Sequence, residues 1–236
     1  MNHQNEYSLY QILDLVEDSN LPEIQRLVSL DSNLIQEYDE NGTTLLMAAS
    51  ISGNLELVKF LVEMGSDVNY LDMDGNCSLL CAAEKRHWDV FEYLFDLTDR
   101  ELRELSLSIS AVSGDLQALK AFTQKQVNVD ASRMKGVWCD NGFTTLIDVV
   151  NQGEEELAGI VETLLKAGAN PNLSEEDTGG TPLMYAAKRR CLPIIRLLLE
   201  AGADPNIKDT SGETALMKAE KFGYQEVAQV LKQYIN

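Results

Sequence analysis

Few residues in this sequence have the types and the spacing that catalysis or metal binding requires. Cys77 and Cys81 lie four positions apart and His87 follows them, a pattern that could supply three ligands of a zinc ion. No second pair of ligands accompanies them, so the spacing favours two thiols packed into a helix. His3 and His87 are the only histidines, which nearly excludes Ser-His, Cys-His and multi-histidine metal chemistry.

Carboxylates provide the remaining route to catalysis. Asp140, Asp148 and Glu154 lie in one irregular stretch and define a remote alternative, a carboxylate-dependent enzyme. The acidic run 154–156 is more typical of a solvated helix start, where the positive end of the helix dipole favours negative charge. Neither G-x-x-x-x-G-K-[ST] nor G-x-G-x-x-G occurs, so nucleotide binding has no support. We therefore expect no enzyme activity, no catalytic residue, no metal and no cofactor.

The composition indicates a globular and strongly acidic chain. Its 236 residues are 44% hydrophobic and 24% charged, as in folded proteins. The 38 acidic and 19 basic side chains give a formal charge of −19, which argues against nucleic-acid or membrane-surface binding because phosphate groups are repelled. No apolar run approaches the roughly 18 residues of a membrane span, no secretory signal is visible, and the four cysteines form no disulfide pattern. These features predict a cytoplasmic protein.

An internal repeat organises the chain. Gly42 and Gly75 lie 33 residues apart, as do Gly179 and Gly212. A threonine recurs two positions after the glycine and a leucine four positions after it, in the sets Thr44, Thr144, Thr181, Thr214 and Leu46, Leu79, Leu146, Leu183, Leu216. A period of this length indicates stacked repeat units.

Each recurring position has a physical role. The threonine caps a helix by accepting hydrogen bonds from backbone amides, and Pro182 occupies the first helical position, where it loses no hydrogen bond. Gly53, Gly114 and Gly223 end this first helix in the left-handed conformation. A second apolar helix follows, with apolar residues spaced by three and four. One helix pair cannot cover its own apolar face, so the units must stack.

The repeated segments resemble the ankyrin repeat family. Two stretches match the family pattern almost letter for letter, Thr181-Pro182-Leu183 followed by Ala186-Ala187 and Gly202-Ala203-Asp204 followed by Asn206. The resemblance covers residues 39–98 and 140–236 well and residues 7–38 and 100–130 weakly. It implies an all-α fold, an ankyrin-repeat solenoid of about seven helix-turn-helix units in a single domain.

The units implied by this resemblance are unequally regular. Residues 7–38 form an N-terminal cap unit without a hairpin glycine, and residues 100–130 form a divergent unit. The other units span 39–71, 72–98, 140–172, 173–206 and the C-terminal cap 207–236, and the insertion 131–139 is either a binding loop or a segment packed on the stack. The family's usual histidine, five positions after the turn glycine, is replaced by apolar residues, at Met47, Leu80, Ile147, Met184 and Met217. Apolar packing should therefore replace a polar contact between units.

The resemblance also implies a binding surface. Ankyrin arrays bind protein partners on a concave face made of the hairpin tips and the exposed side of each first helix. The matching positions, together with Trp138 in the insertion, are Glu40, Asn41, Thr43, Ile51, Met73, Asp74, Asn76, Lys85, Phe143, Gln152, Lys188, Arg189, Lys221 and Phe222. Ile51, Met73, Phe143 and Phe222 are apolar side chains of the kind that anchor interfaces, although each could instead fold onto a neighbouring unit.

Together these features favour a non-catalytic protein–protein interaction module that acts as a monomer. Residues 1–71 carry 12 acidic and 2 basic side chains, whereas residues 171–236 carry 9 and 8. A partner with a basic patch should therefore face the N-terminal half, while Lys188, Arg189 and Lys221 should meet acidic or polar groups. The alternative is an acidic inhibitor or immunity-type protein that blocks a basic, nucleic-acid-handling enzyme.

Overall fold

The computed structural model describes residues 9–18, 20–131 and 142–235. Within these ranges the chain contains fourteen α-helices and no β-strand. In chain order the helices are α1 Leu9–Glu17, α2 Leu21–Leu30, α3 Leu45–Ser52, α4 Leu55–Glu63, α5 Ser78–Glu84, α6 Trp88–Phe95, α7 Arg100–Val112, α8 Leu116–Gln124, α9 Thr145–Gln152, α10 Ala158–Lys166, α11 Pro182–Arg189, α12 Leu192–Glu200, α13 Ala215–Lys221 and α14 Gln225–Lys232. The all-α repeat architecture predicted from the sequence is confirmed.

The chain divides into two compact units, Met1–Ser106 and Leu107–Asn236. In the first unit α3 lies between α1 and α5, and α4 contacts α6. In the second unit α11 lies between α9 and α13, and α10 lies between α8 and α12. First helices thus pack against first helices and second helices against second helices, which is how helix pairs with one apolar face cover each other.

Threonine side chains begin four of the first helices, as predicted. In each case the hydroxyl oxygen accepts a hydrogen bond from the backbone N–H three residues further on, at 3.3–3.4 Å, and the four are Thr44, Thr144, Thr181 and Thr214. Cys77, which stands at the corresponding position before α5, makes no such side-chain bond. Pro182 occupies the first turn of α11, where its missing N–H leaves no hydrogen bond unmade.

Four of the five apolar residues that lie five positions after the turn glycine are buried inside the stacks. Met47, Leu80, Ile147 and Met184 are no more than 2% exposed, so apolar packing does fill the position where the family usually has histidine. Met217 is 48% exposed. The difference arises because α13 packs against α11 and α14, and no further first helix follows it in the described chain.

The divergent repeat has a longer first helix in place of a hairpin. Helix α7 has 13 residues, whereas the other first helices have seven to nine. The side chain of Asn69, at the end of the repeat 39–71, accepts a hydrogen bond of 2.8 Å from the N–H of Asp99 and so fixes the entry to α7. In the repeat 140–172, a 3-10 turn, Glu155–Leu157, lies between α9 and α10. Its two glutamates are exposed, as expected for a solvated helix start.

The loop between α3 and α4 has no room for a side chain. Gly53 has a φ of +74°, and a Cβ atom on it would lie 2.3 Å from Nδ1 of His87. The other ring nitrogen of His87, Nε2, lies 2.9 Å from the carbonyl oxygen of Ile51. The imidazole of the following repeat therefore closes directly over this loop.

We expect Gly53→Ala to lower the free energy of unfolding by about 2–3 kcal/mol, because the left-handed backbone alone costs about 1–2 kcal/mol and the His87 ring must also move. Gly65→Ala is the matched control, because Gly65 has a φ of +96° but no atom within 4 Å of the added Cβ. That variant should lose only the backbone contribution. Urea denaturation measures both losses, and equal losses would contradict the contact with His87.

Candidate partner-binding surface

An aspartate organises each regular hairpin. In the first unit, Oδ1 of Asp39 accepts hydrogen bonds from the N–H groups of Asn41 and Thr43 at 2.9 and 2.8 Å. Asp72 and Asp209 make the same two bonds to residues two and four positions further on. These are side chain-to-backbone turns of the kind that aspartate favours. Their constant place, three residues before the turn glycine, is a signal that the sequence-based prediction of the site left unused.

Consecutive hairpins lie side by side within each unit. The N–H of Met73 donates to the carbonyl of Asn41 at 3.1 Å, and the N–H of Thr210 donates to that of Thr178 at 2.8 Å. Gly42 permits this approach, because it has a φ of +86° and a Cβ there would lie 3.1 Å from the backbone nitrogen of Met73. The hairpin tips of neighbouring repeats therefore form one continuous edge in each unit.

The first unit leaves most of its predicted site residues accessible. Met73 is 73% exposed and Ile51 is 39% exposed. The other exposed members are Glu40, Asn41, Asp74 and Lys85, and the half-buried ones are Thr43 and Asn76. Asn76 is held inside its hairpin, where its amide donates to Oδ2 of Asp72 at 2.9 Å.

Two predicted residues of the second unit are engaged with neighbouring repeats. Phe143 is half-buried, and its ring lies edge-on to Tyr185 with 5.3 Å between centroids. The Gln152 side chain donates to the carbonyl of Val112 at 3.0 Å. Both residues thus hold repeats together, and their contact with a partner stays a prediction. Trp138, with most of the insertion, lies outside the described residues.

The remaining predicted residues lie at the ends of α11 and α13, two helices in contact. Lys188, Arg189 and Lys221 are exposed, and Phe222 is 49% exposed. The Lys221 ammonium lies 2.8 Å from a carboxylate oxygen of Glu213. Its charge is therefore already compensated within the last repeat.

A buried glutamate takes the place of the hairpin aspartate in the sixth repeat. Glu175 is 2% exposed, and its carboxylate accepts hydrogen bonds from the N–H groups of Asp177, Thr178 and Gly180 at 2.6, 2.9 and 3.2 Å. The Thr178 hydroxyl donates to it as well. Burial alone would raise the pKa of Glu175, but these hydrogen bonds outweigh burial and hold its pKa below the ordinary value. The carboxylate is therefore ionised at neutral pH.

A lysine of α13 holds the last hairpin through two ion pairs. The ammonium of Lys218 lies 2.5 Å from Oδ2 of Asp209 and 3.2 Å from Oε2 of Glu213. Burial alone would raise the pKa of Asp209, but the bond from Lys218 lowers it below the ordinary value. Such a partly buried pair holds the hairpin in one position more firmly than an exposed ion pair does.

The residues considered for metal chemistry have structural roles. Cys77 and Cys81 are buried, and burial raises the pKa of both thiols, that of Cys81 to about 12. Protonated thiols of this kind are packing groups. Among the described residues no group of three histidine, cysteine, aspartate or glutamate side chains is arranged to hold a metal ion. None of the described helices has the length and apolar character of a membrane span.

The carboxylates considered for catalysis are placed only in part. Asp148 is half-buried in α9, and Glu154 is exposed just before the 3-10 turn. Asp140 lies outside the described residues.

Comparison with known proteins places these features in one family. A family model described as ankyrin repeats (3 copies) matches residues 14–104, 105–209 and 154–236. The chain therefore belongs to the ankyrin repeat family, as the resemblance predicted, and ankyrin repeats generally act as protein–protein interaction modules.

Particular relatives share different parts of the chain. It is 28% identical over 216 residues to the mouse B-cell lymphoma 3 protein homolog, and the aligned region covers 86% of this chain and 46% of the relative. The chain thus spans less than half the length of that protein. It is 36% identical over 84 residues to the human Notch-regulated ankyrin repeat-containing protein, and the aligned region covers 34% of this chain and 74% of the relative. The crystal structure of the ankyrin repeat domain of Bcl-3, titled a unique member of the IkappaB protein family, superposes with a TM-score of 0.78 at 25% identity over 97% of this chain and 100% of that one.

Proposed function

We propose that this chain is a non-catalytic interaction module that binds a protein partner through its hairpin tips and the exposed ends of its first helices, the concave face of ankyrin repeats. The observation that supports the proposal most strongly is the exposure of Met73. Its side chain is 73% exposed at a hairpin tip although it is large and apolar. An unbranched thioether in such a position is a suitable anchor for an apolar pocket on a partner.

The surroundings of Met73 define the chemistry of that partner. Asp74 is adjacent in the chain, and the tip of Asn41 and Glu40 lies beside it through the Met73–Asn41 hydrogen bond. An apolar anchor bordered by carboxylates fits an apolar pocket bordered by basic groups. The charge of the whole first unit agrees, because residues 1–106 carry 21 acidic and 6 basic side chains. Such a field accelerates encounter with a basic surface and makes binding sensitive to salt.

The same charge supports one alternative, an acidic inhibitor or immunity-type protein that blocks a basic, nucleic-acid-handling enzyme by imitating its anionic ligand. In that case the captured partner should lose its affinity for nucleic acid when this chain is bound. Binding that hardly changes between low and high salt would exclude this alternative, because a mimic of a polyanion depends on charge.

We further propose that the chain acts as a monomer in the cytoplasm, and that it binds no cofactor, nucleic acid or membrane. Its negative charge supports the last two points because phosphate groups are repelled.

The test compares two methionine-sized apolar residues with the same exposure. A partner is first captured with the wild-type chain, and its affinity for purified variants is then measured by interferometry. We expect Met73→Ser to weaken binding by about tenfold, as loss of an interface anchor does. Leu30 is 72% exposed at the end of α2 and belongs to neither a hairpin nor a first helix, so Leu30→Ser is the matched control and should leave affinity unchanged.

Salt provides the second arm of this test. Raising ionic strength from about 0.05 to about 0.5 M should weaken wild-type binding severalfold, because the attraction between exposed charges is screened. Equal losses for Met73→Ser and Leu30→Ser, or no loss for either, would contradict the proposed surface.

A further inference from the structure

The loop that joins the two helices of a repeat needs a left-handed residue, and two repeats place arginine there. Glycine holds this conformation in four repeats, at Gly53, Gly114, Gly153 and Gly223. Arg86 and Arg190 hold it in the third and sixth repeats, with φ values of +67° and +60°. A residue with a Cβ is strained in this region, where glycine is not. Strain of this kind at a defined position is a reason to ask what the side chain does.

The side chain of Arg190 lies on an aromatic pair in the last repeat. Its guanidinium carbon is 5.9 Å from the centroid of the Tyr224 ring. The Tyr224 ring in turn stacks on Phe222 with 5.8 Å between centroids and 22° between planes. Phe222 is 49% exposed. A cation therefore lies at one end of a short aromatic platform that remains accessible to solvent.

Two further basic side chains extend this group. The Arg189 side chain donates to Oδ1 of Asn151 at 3.1 Å. It also covers Gly153, because a Cβ added to Gly153 would lie 2.9 Å from the Cβ of Arg189. Lys188 is exposed one residue earlier on α11. We call the five side chains Lys188, Arg189, Arg190, Phe222 and Tyr224 the Arg190 patch. All five belong to the second unit.

The charges of the Arg190 patch are not neutralised by ion pairs within the described chain. Lys218 and Lys221 of the last repeat are paired with Asp209 and Glu213, whereas none of the three basic residues of the patch forms an ion pair with a described carboxylate. Two glutamates, Glu155 and Glu156, are close enough to affect Cys191, the residue after Arg190. Burial raises the pKa of the Cys191 thiol, and the nearby charges of Glu155 and Glu156 raise it further.

We propose that the Arg190 patch binds a short acidic segment of a partner protein that also carries an apolar or aromatic side chain. Arginine forks bind carboxylates with two parallel hydrogen bonds, and the Phe222–Tyr224 platform provides apolar contact beside them. A short segment fits better than a long polyanion, because residues 107–236 carry 17 acidic and 13 basic side chains and would repel an extended phosphate backbone. This inference rests on the proposed function and names the chemistry recognised by the second unit.

The test uses a fluorescein-labelled glutamate-rich peptide with one tryptophan, and its binding to the full chain is followed by fluorescence anisotropy. We expect Arg190→Gly to weaken binding by about three- to tenfold, as loss of one charge-assisted contact does. The same variant should melt about 2–4 °C higher, because glycine removes the backbone strain. If Arg190 had only a structural role, the variant would not lose peptide affinity while gaining thermal stability.

Arg86→Gly is the matched control. It removes the same charge from the same strained backbone position, but in the first unit, so peptide binding should be unchanged. Phe222→Ser should weaken peptide binding without removing charge. A peptide with glutamine in place of glutamate, and an oligouridine RNA, should bind more weakly than the acidic peptide.

Three results would overturn the inference: equal losses for Arg190→Gly and Arg86→Gly, no binding of the acidic peptide, or tighter binding of the RNA. None of them bears on Met73. If Met73→Ser still weakens the captured partner, the proposed function stands and only the assignment of the Arg190 patch fails.

Discussion

Phe91→Ala is expected to lower the free energy of unfolding of the first unit by about 3–5 kcal/mol, as large-to-small changes in a well-packed core do. Phe91 is 2% exposed in α6. Its ring centroid lies 5.6 Å from that of Phe95 and 6.0 Å from that of Trp88. Alanine would leave a cavity between these rings and remove both aromatic contacts.

Phe91→Leu is the control for volume. Leucine fills most of the space and should cost about 1–2 kcal/mol, chiefly through the lost ring contacts. Urea denaturation gives the two losses, and limited proteolysis shows which unit opens. Because repeats are stabilised by their nearest neighbours, the alanine variant should be cleaved first within residues 1–106. A loss below about 1 kcal/mol, or first cleavage in the second unit, would contradict this packing.

Glu175→Ala is expected to lower the free energy of unfolding of the second unit by about 2–4 kcal/mol, because backbone N–H groups that now donate to a carboxylate would lose their acceptor. Glu175→Gln keeps an acceptor but loses the charge, and it should cost about 1–3 kcal/mol. Glu176→Gln is the matched control. Glu176 is exposed one residue further on, so its replacement should change stability by less than about 0.5 kcal/mol.

The loss at Glu175 should depend on pH in one direction. The pKa of Glu175 is lowered from an ordinary value of 4.5, so its ionised form stabilises the folded state. That contribution is complete above about pH 4.5 and is lost as the pH falls through the folded-state pKa. The stability gap between wild type and Glu175→Gln should therefore be constant from neutral pH to about pH 5 and narrow in more acidic buffer. A gap that persists unchanged in acid would contradict the hydrogen bonds described for this carboxylate.

Much of the fold could be predicted because its signals are local. A threonine cap acts on an amide three residues away, and a left-handed glycine acts on its own φ, so both can be recognised in a single repeat. The repetition of these signals in register indicates the stack. Arg86 and Arg190 were not recognised as left-handed, because the arginine side chain carries no such local signal. The length of α7 was not predicted either, because the absence of a hairpin glycine there did not reveal what replaced the hairpin.

The candidate surface was less predictable because its contacts join residues from different repeats or from separate parts of one repeat. Position within a repeat indicated correctly that Met73 and Phe222 are exposed. It did not reveal that Phe143 meets Tyr185 or that Lys221 meets Glu213, since these contacts depend on side-chain conformations across a hairpin or a repeat boundary. Glu175 was missed for a different reason. Its place in the chain differs from that of Asp39, Asp72 and Asp209, so no alignment on the turn glycine reveals their shared role.

Hydrogen exchange of the chain with and without its captured partner tests the central claim most directly. We expect slower exchange on binding at the hairpin tips of the first unit, at residues 40–43 and 73–76, and at the end of α3 near Ile51. The second helices α4 and α6 should exchange at the same rate in both states. Slower exchange confined to α4 and α6, with the tips unchanged, would contradict a partner bound through the hairpins and first helices.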